Sequence, residues 1–429
     1  MTSTPDAPSG AEQTPTARRA RGRGGLAVAV AFGAASLLGL VVVAVGGRWL
    51  DDSDLRAQFL ALWSLVFGIG AALSAVEAET SRVASRATLE DRPVSSQVAL
   101  VGGVGVVGGL LVLLVAACIP GIGPVVRDSP GTALATVAAV VLFVPLCVTR
   151  GVLLGTGAVV PYAGVVLGEA LLRVLVLALL WVALSEASVV AAVTAVAAGG
   201  LAWVPVVRRV RSAVDRHSAD RSLARAARAV GALGAANGLA TLLLAAYPVL
   251  VATIVGGTRG LDTLFAAVIL TRIPLVVVAP LQAVAVPWAT RALHSGGGAG
   301  LRALWAKAAG GLVVLVGVAV PVGWYAGPWA LRVFKGGGTD AEPLMMAVLL
   351  GATCVLAVAL PQLAVVVAAD QHARVTATWA VAVAAAAAWL AWGPGDGSTR
   401  GTVAFALGAG LVYAVSSLAV LDATRARPA

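Results

Sequence analysis

Twelve apolar stretches follow one another along this 429-residue chain. Most are about 17 to 25 residues long, the length at which a helix crosses a hydrocarbon layer about 30 Å thick. Inside such a layer every backbone N–H and C=O needs an internal partner, and only helices and closed barrels provide one. Barrel strands alternate apolar and polar residues over about ten positions, whereas these runs are continuously apolar, so the reading is all-α. The stretches fall at about 26–45, 57–76, 98–118, 133–148, 157–184, 189–207, 230–255, 264–288, 308–330, 344–368, 375–392 and 402–421.

The connections carry a second pattern. With the amino terminus placed inside, the inner segments hold 21 of the 30 Lys and Arg residues, Arg150 among them. The outer segments hold seven: Arg48, Arg56, Arg127, Arg259, Arg332, Lys335 and Arg400. A threefold excess on alternate loops is the charge asymmetry that orients inner-membrane proteins, and it places both termini in the cytoplasm. Charged residues make up 12% of the chain, about half the share in soluble domains, and mean hydropathy is +0.95. The net charge of +10 follows topology rather than one surface interleaved with aromatics, so membrane lipid and not nucleic acid is the implied partner.

The expected organisation is a disordered cytoplasmic tail over 1–24, a six-helix lobe over 25–207, a basic linker over 208–228 with seven arginines, a second six-helix lobe over 229–421, and a short tail over 422–429. Two lobes of six suggest a central cavity of the kind that alternating-access carriers build from repeats. The linker reads as a topology anchor, with a helix lying on anionic lipid as the other reading. Cys118, Cys147 and Cys354 have unrelated spacings and imply neither a disulfide framework nor a metal site. His217, His294 and His372 fall on inner loops as solvated side chains. No cofactor is expected.

Polar residues within the apolar stretches are the candidate site. Glu169 and Arg173 stand four apart near the middle of the fifth stretch, on one helical face, and can pair. A charge at mid-bilayer costs about 2.5 to 3.5 kcal/mol on insertion scales, so both should point inward; the pair either fixes helix packing or handles cargo. Arg272 lacks an acid in its own stretch, which also holds Pro274, Pro280 and Gln282. It would face a wet cavity and attract a phosphate, snorkel outward, or pair with Glu169. Asn237, Tyr247 and Gln362 suit interhelical hydrogen bonds. Nucleotide-binding, zinc-hydrolase and serine-hydrolase motifs are missing from the sequence. The acidic run Asp51, Asp52, Ser53, Asp54 on a loop of about ten residues reads as a solvated turn.

Four segments carry a family resemblance: RGVLLGTGAVVPYAGVVLGEALLR at 150–173, FLALWSLVFGIGAALSAVEAETSR at 59–82, ANGLATLLLAAYPVLV at 236–251 and LTRIPLVVVAPLQAVAVPWATR at 270–291. They resemble bacterial polysaccharide biosynthesis proteins in the oligosaccharide flippase branch of the multidrug/oligosaccharidyl-lipid/polysaccharide exporter superfamily. The resemblance implies a twelve-helix carrier in the bacterial inner membrane. Such a carrier moves a polyprenyl-pyrophosphate-linked oligosaccharide to the outer leaflet for cell-surface polysaccharide assembly, alongside glycan polymerase or glycosyltransferase partners. Substrate-binding residues would be Arg173, Arg272, Glu169, Asn237 and Gln282, with the arginines neutralising the pyrophosphate. The competing readings are a multidrug/cation antiporter of the same superfamily, a membrane glycosyltransferase using the acidic run, and a non-transporting scaffold. The oligomeric state is left open.

Overall fold

A computed structural model describes residues 15–50, 52–184, 186–215, 222–275, 278, 298–336, 342–369 and 371–425. Gln282, Pro280, Pro287, Asp51, His217 and His294 lie outside these residues, as does the segment 1–14.

The amino-terminal lobe comprises α1 (Pro15–Trp49), α2 (Ser53–Leu89), α3 (Gln97–Cys118), α4 (Gly123–Arg127), α5 (Pro130–Gly155), α6 (Val159–Ala183) and α7 (Val189–Ala198), followed by a 3-10 segment (Gly199–Val206) and α8 (Val207–Ala213). The carboxy-terminal lobe comprises α9 (Leu223–Leu244), α10 (Tyr247–Val255), α11 (Asp262–Leu270), α12 (Gly298–Lys335), α13 (Pro343–Ala368), α14 (His372–Trp392) and α15 (Gly397–Arg425). Among the described residues, eleven helices are long and apolar enough to span a membrane. The chain is therefore an all-α multi-pass membrane protein, as its sequence led us to expect.

Local chemistry sets the helix starts. Asp52 caps α2 by accepting from Asp54 N at 2.8 Å and Leu55 N at 2.9 Å, so one acid of the acidic run has a structural task. Ser129 caps α5, with Pro130 at the first helical position where its missing N–H costs nothing. Ser222 caps α9. Gly256 ends α10 at φ 91°, a left-handed conformation that a side chain would strain.

Several boundaries differ from the sequence reading. Helix α1 begins at Pro15, so residues 15–24 are helical rather than part of a disordered tail; arginine is a good helix former and proline opens helices. Helix α2 runs on to Leu89 because paired charges replace apolar residues without any helix breaker before Pro93. The stretch at 230–255 is two helices, since Thr241 O accepts from both Ala245 N and Ala246 N and closes α9 there. The linker is not one amphipathic helix: α8 stops at Ala213, the two-residue strand Val214–Asp215 pairs with Val94–Ser95, and Arg225 and Arg228 already belong to α9. Pro161 sits in the first turn of α6 and does not interrupt it. Pro321 and Pro361 lie inside continuous helices.

The lobes meet where α2 packs on α9, α10 and α11, and α3 on α9. Large buried side chains of both lobes, including Phe59, Leu62, Leu243 and Phe265, belong to one continuous core. At Gly68 the helices approach so closely that an added Cβ would lie 2.7 Å from Ala246 Cβ. The opposite faces of α3 and α12 expose Leu111, Leu114, Val115, Val313, Val314 and Trp329, the apolar surface that lipid covers.

Candidate functional site

Four charged side chains meet inside the amino-terminal lobe. Glu169, near the middle of α6, accepts from Arg173 one turn along the same helix and from Arg150 on α5. Arg173 also donates through Nε to Val196 O at 3.4 Å and lies with its guanidinium carbon 4.7 Å from the centre of the Phe67 ring. Glu77 on α2 faces Arg150 and accepts from the Tyr162 hydroxyl at 2.9 Å. Two carboxylates thus balance two guanidiniums, which is what makes the burial of Glu169 and Arg173 and the partial burial of Glu77 and Arg150 tolerable in a low dielectric. Glu169 and Arg173 are each 5% exposed, so the pair is a packed element of the lobe, closed off on one side by Gly199, where a Cβ would fall 2.6 Å from Arg173 Nε.

Arg150 corrects the sequence reading. Counted there with the cytoplasmic cations, it lies within α5 with its side chain 11% exposed. The missed signal was length: the stretch at 133–148 has only sixteen residues, too few to span, and the helix makes up the difference by running to Gly155 through Arg150. Glu77 and Tyr162 were missed for a related reason, since each sits near a span end where a polar residue attracts no notice.

The remaining candidates lie at or near the seam. Asn237 on α9 donates to Ser74 Oγ on α2 at 3.0 Å, a hydrogen bond between the lobes. Arg272 follows the carboxyl end of α11, the helix that packs against α2. Its Nε and Nη2 are buried and have no hydrogen-bond partner among the described residues. Arg173 is spent on Glu169, whereas Arg272 keeps unspent donors. Among the described residues the partners of Glu169 are Arg150 and Arg173, and Arg272 does not pair with it. Tyr247 donates to Gly401 O, and Gln362 accepts from Ser416 at 2.7 Å and Ser417 at 3.2 Å; both act within the carboxy-terminal lobe.

A second ionic cluster closes the seam on the face that charge asymmetry assigns to the outside. Asp262, in the first turn of α11, accepts from Lys335 Nζ at 2.6 Å and faces Arg56 Nη1 of the other lobe at 3.5 Å. Lys335 also donates to Thr263 Oγ1 at 2.9 Å. Arg56 is fixed by the turn between α1 and α2, donating to Gly47 O at 2.9 Å and to Leu50 O at 3.1 Å. Arg48 reaches across to Val333 O, and Arg259 stands 3.5 Å from Asp54. On the opposite face a cavity of about 660 Å³ opens between α2 and the start of α9. Ionic contacts thus tie the two lobes together at the Asp262 end of the seam. Among the described residues no cluster of His, Cys, Asp and Glu suits a metal ion.

Neither a protein-family profile nor any curated protein sequence matches the chain. Solved structures do. An inward-facing conformation of a multidrug resistance MATE family transporter of the MOP superfamily superposes with a TM-score of 0.68 at 13% identity, covering 92% of this chain and 96% of that one. This chain has the MATE transporter fold. An outward-facing conformation of a MATE family transporter gives 0.59 at 14% identity, over 94% and 97% of the two chains. A mutant of the Vibrio cholerae MATE transporter VcmN gives 0.61 at 16% identity, over 97% and 99%.

Proposed function

We propose that the protein is an alternating-access flippase that carries a phosphate-bearing lipid-linked oligosaccharide from the cytoplasmic to the outer leaflet, in the bacterial inner membrane with both termini inside. The observation that carries this reading is Arg272, a guanidinium beside the lobe seam with two buried nitrogens that no described residue engages. A buried cation without a partner is costly; a pyrophosphate oxygen that arrives with cargo would remove that cost and accept the planar fork of donors. Glu169, Arg173, Arg150 and Glu77 act here as the rigid neutral core of one lobe, against which the other lobe rocks. Asn237 bridges the lobes from the wall of the same seam. Gln282 is proposed to contribute from the stretch that follows Arg272. A glycan polymerase or glycosyltransferase would supply or consume the cargo.

A second reading is export of organic cations. Buried acids in the amino-terminal lobe, Glu77 and Glu169, and the multidrug resistance transporter whose fold is shared favour it. The two readings separate in proteoliposomes. Labelled polyprenyl-pyrophosphate oligosaccharide becomes accessible in the opposite leaflet if the first is right, and a gradient-driven efflux of a fluorescent organic cation, with the lipid left in place, contradicts it.

A further inference from the structure

The cavity beside α2 and the start of α9 has a chemistry that the transport reading does not use. Its volume of about 660 Å³ falls within the range of small-ligand sites, about 300 to 1,000 Å³. Helix α2 lines it with one face, where Glu79, Arg82, Arg86 and Glu90 recur at helical spacing. Arg82 is committed, its Nε and Nη2 donating to the two oxygens of Glu79 at 2.8 and 2.6 Å. Glu90 is shared: Arg86 Nε lies 3.3 Å from one of its oxygens and Arg92 Nη2 lies 2.7 Å from the other. Arg92 stands beyond the end of α2 and folds back to that carboxylate, so its position is not explained by the helix dipole, which accounts for Arg86 alone. From the far wall, Arg225 of α9 and Asp215 add one charge of each sign.

We infer that this vestibule is an anion-docking site, built around Arg86 and Arg92, for the phosphate groups of the lipid cargo before it enters the seam. Two guanidiniums converge on one carboxylate and leave one positive charge unbalanced, with side chains 72% and 70% exposed and free to receive a second anion. A phosphate offers several acceptor oxygens to two forks at once, which a single carboxylate cannot. Most of the wall comes from α2 and the segment that follows it, and Arg225 of α9 adds a contribution from the other lobe. The linker is tied down at the rim, where Gln97 accepts from Ser222 N at 2.9 Å and donates to Ser222 O at 3.0 Å. The proposal rests on the flippase reading for the identity of the cargo and goes beyond it in naming where the cargo first binds.

The test uses the full chain in nanodiscs of phosphatidylcholine and measures binding of a polyprenyl pyrophosphate to the wild type and to the double variant Arg86→Gln, Arg92→Gln. Binding at least ten-fold weaker in the double variant, partly restored by Arg86→Lys, Arg92→Lys, supports the site. Competition by inorganic pyrophosphate at similar strength assigns recognition to the phosphates alone. A lipid that inorganic pyrophosphate does not displace, and that the double variant binds normally, overturns the site. Transport is read separately in proteoliposomes: a double variant slow at low cargo density and normal at saturating density supports a loading role. If the wild type translocates lipid and the double variant does so equally well at every density, the docking site is wrong and the flippase reading stands. If the wild type neither binds nor moves the lipid, the cargo assignment itself is wrong and the docking role falls with it.

Discussion

Lys335 Nζ lies 2.6 Å from Asp262 Oδ2, and the same carboxylate faces Arg56 of the opposite lobe at 3.5 Å. Lys335 is almost fully enclosed, its side chain 1% exposed, so the carboxylate is its counter-charge and at the same time a link across the seam. Replacing Asp262 by Asn leaves Lys335 and Arg56 as two cations facing each other across that seam. Breaking a buried pair by removing one partner costs about 3 to 5 kcal/mol, and separating the lobes there relieves it. Spin labels at Gln58→Cys and Gly257→Cys, which flank the outer cavity from the two lobes, should move apart in Asp262→Asn. The labelling needs Cys118→Ser, since Cys118 is exposed while Cys147 and Cys354 are buried. An unchanged distance distribution would show that the cluster does not hold the lobes together.

Glu169 serves two arginines, so its loss is expected to be worse than the loss of either. Glu169→Gln leaves the buried Arg173 without a counter-charge and Arg150 with Glu77 alone, and thermal unfolding in detergent should fall by an amount equivalent to about 3 to 5 kcal/mol. Arg173→Ala should cost less, because Arg150 remains on the carboxylate. A Glu169→Gln protein that melts with the wild type contradicts the balanced network.

Gly199 tests the same network by shape. A Cβ there meets Arg173 Nε at 2.6 Å and Cγ at 2.7 Å. Gly199→Ala should push Arg173 away from Glu169 and destabilise the lobe by about 1 to 3 kcal/mol, the usual range for overpacking. The double variant Gly199→Ala, Arg173→Ala should recover part of that loss; strictly additive effects would place the two residues out of contact.

The start of α15 carries a pH signature. Asp396 accepts from Thr399 N at 2.8 Å, and hydrogen bonds from the Thr399 side chain and backbone hold its carboxyl below the ordinary carboxylate value. A carboxyl depressed on folding contributes stability above its unfolded pKa, near 3.9, and loses it as pH falls through the folded value. Protection of the first amides of α15 against hydrogen exchange, relative to their intrinsic rates at each pH, should therefore be steady from neutral pH to about 4 and fall below it. Asp396→Ala should show the lowered protection at every pH. Protection that persists unchanged in strong acid would remove Asp396 as the cap.

The spans were legible because burial in lipid demands long apolar runs, and no competing interaction changes that demand. What the sequence hid were the polar residues near span ends. Arg150 and Glu77 look like interfacial charges when each is weighed alone, and only the tertiary structure, with α5 packed on both α2 and α6, shows that Glu169 and Tyr162 receive them. The break between α9 and α10 was equally hidden, since two backbone N–H groups converging on Thr241 O leave no mark in composition. Arg173 shows the opposite outcome: the four-residue spacing to Glu169 revealed the pair at once, while its enclosure by Val196 O, Phe67 and Gly199 comes from segments distant in sequence.

The central claim is that a cation with unspent donors beside the seam receives the phosphates of a lipid cargo. Translocation of labelled polyprenyl-pyrophosphate oligosaccharide in proteoliposomes, compared between wild type and Arg272→Gln at matched insertion and folding, tests it most directly. The account predicts active wild type, loss of at least ten-fold in the initial rate for Arg272→Gln, and partial activity for Arg272→Lys. Equal rates in wild type and Arg272→Gln would contradict it.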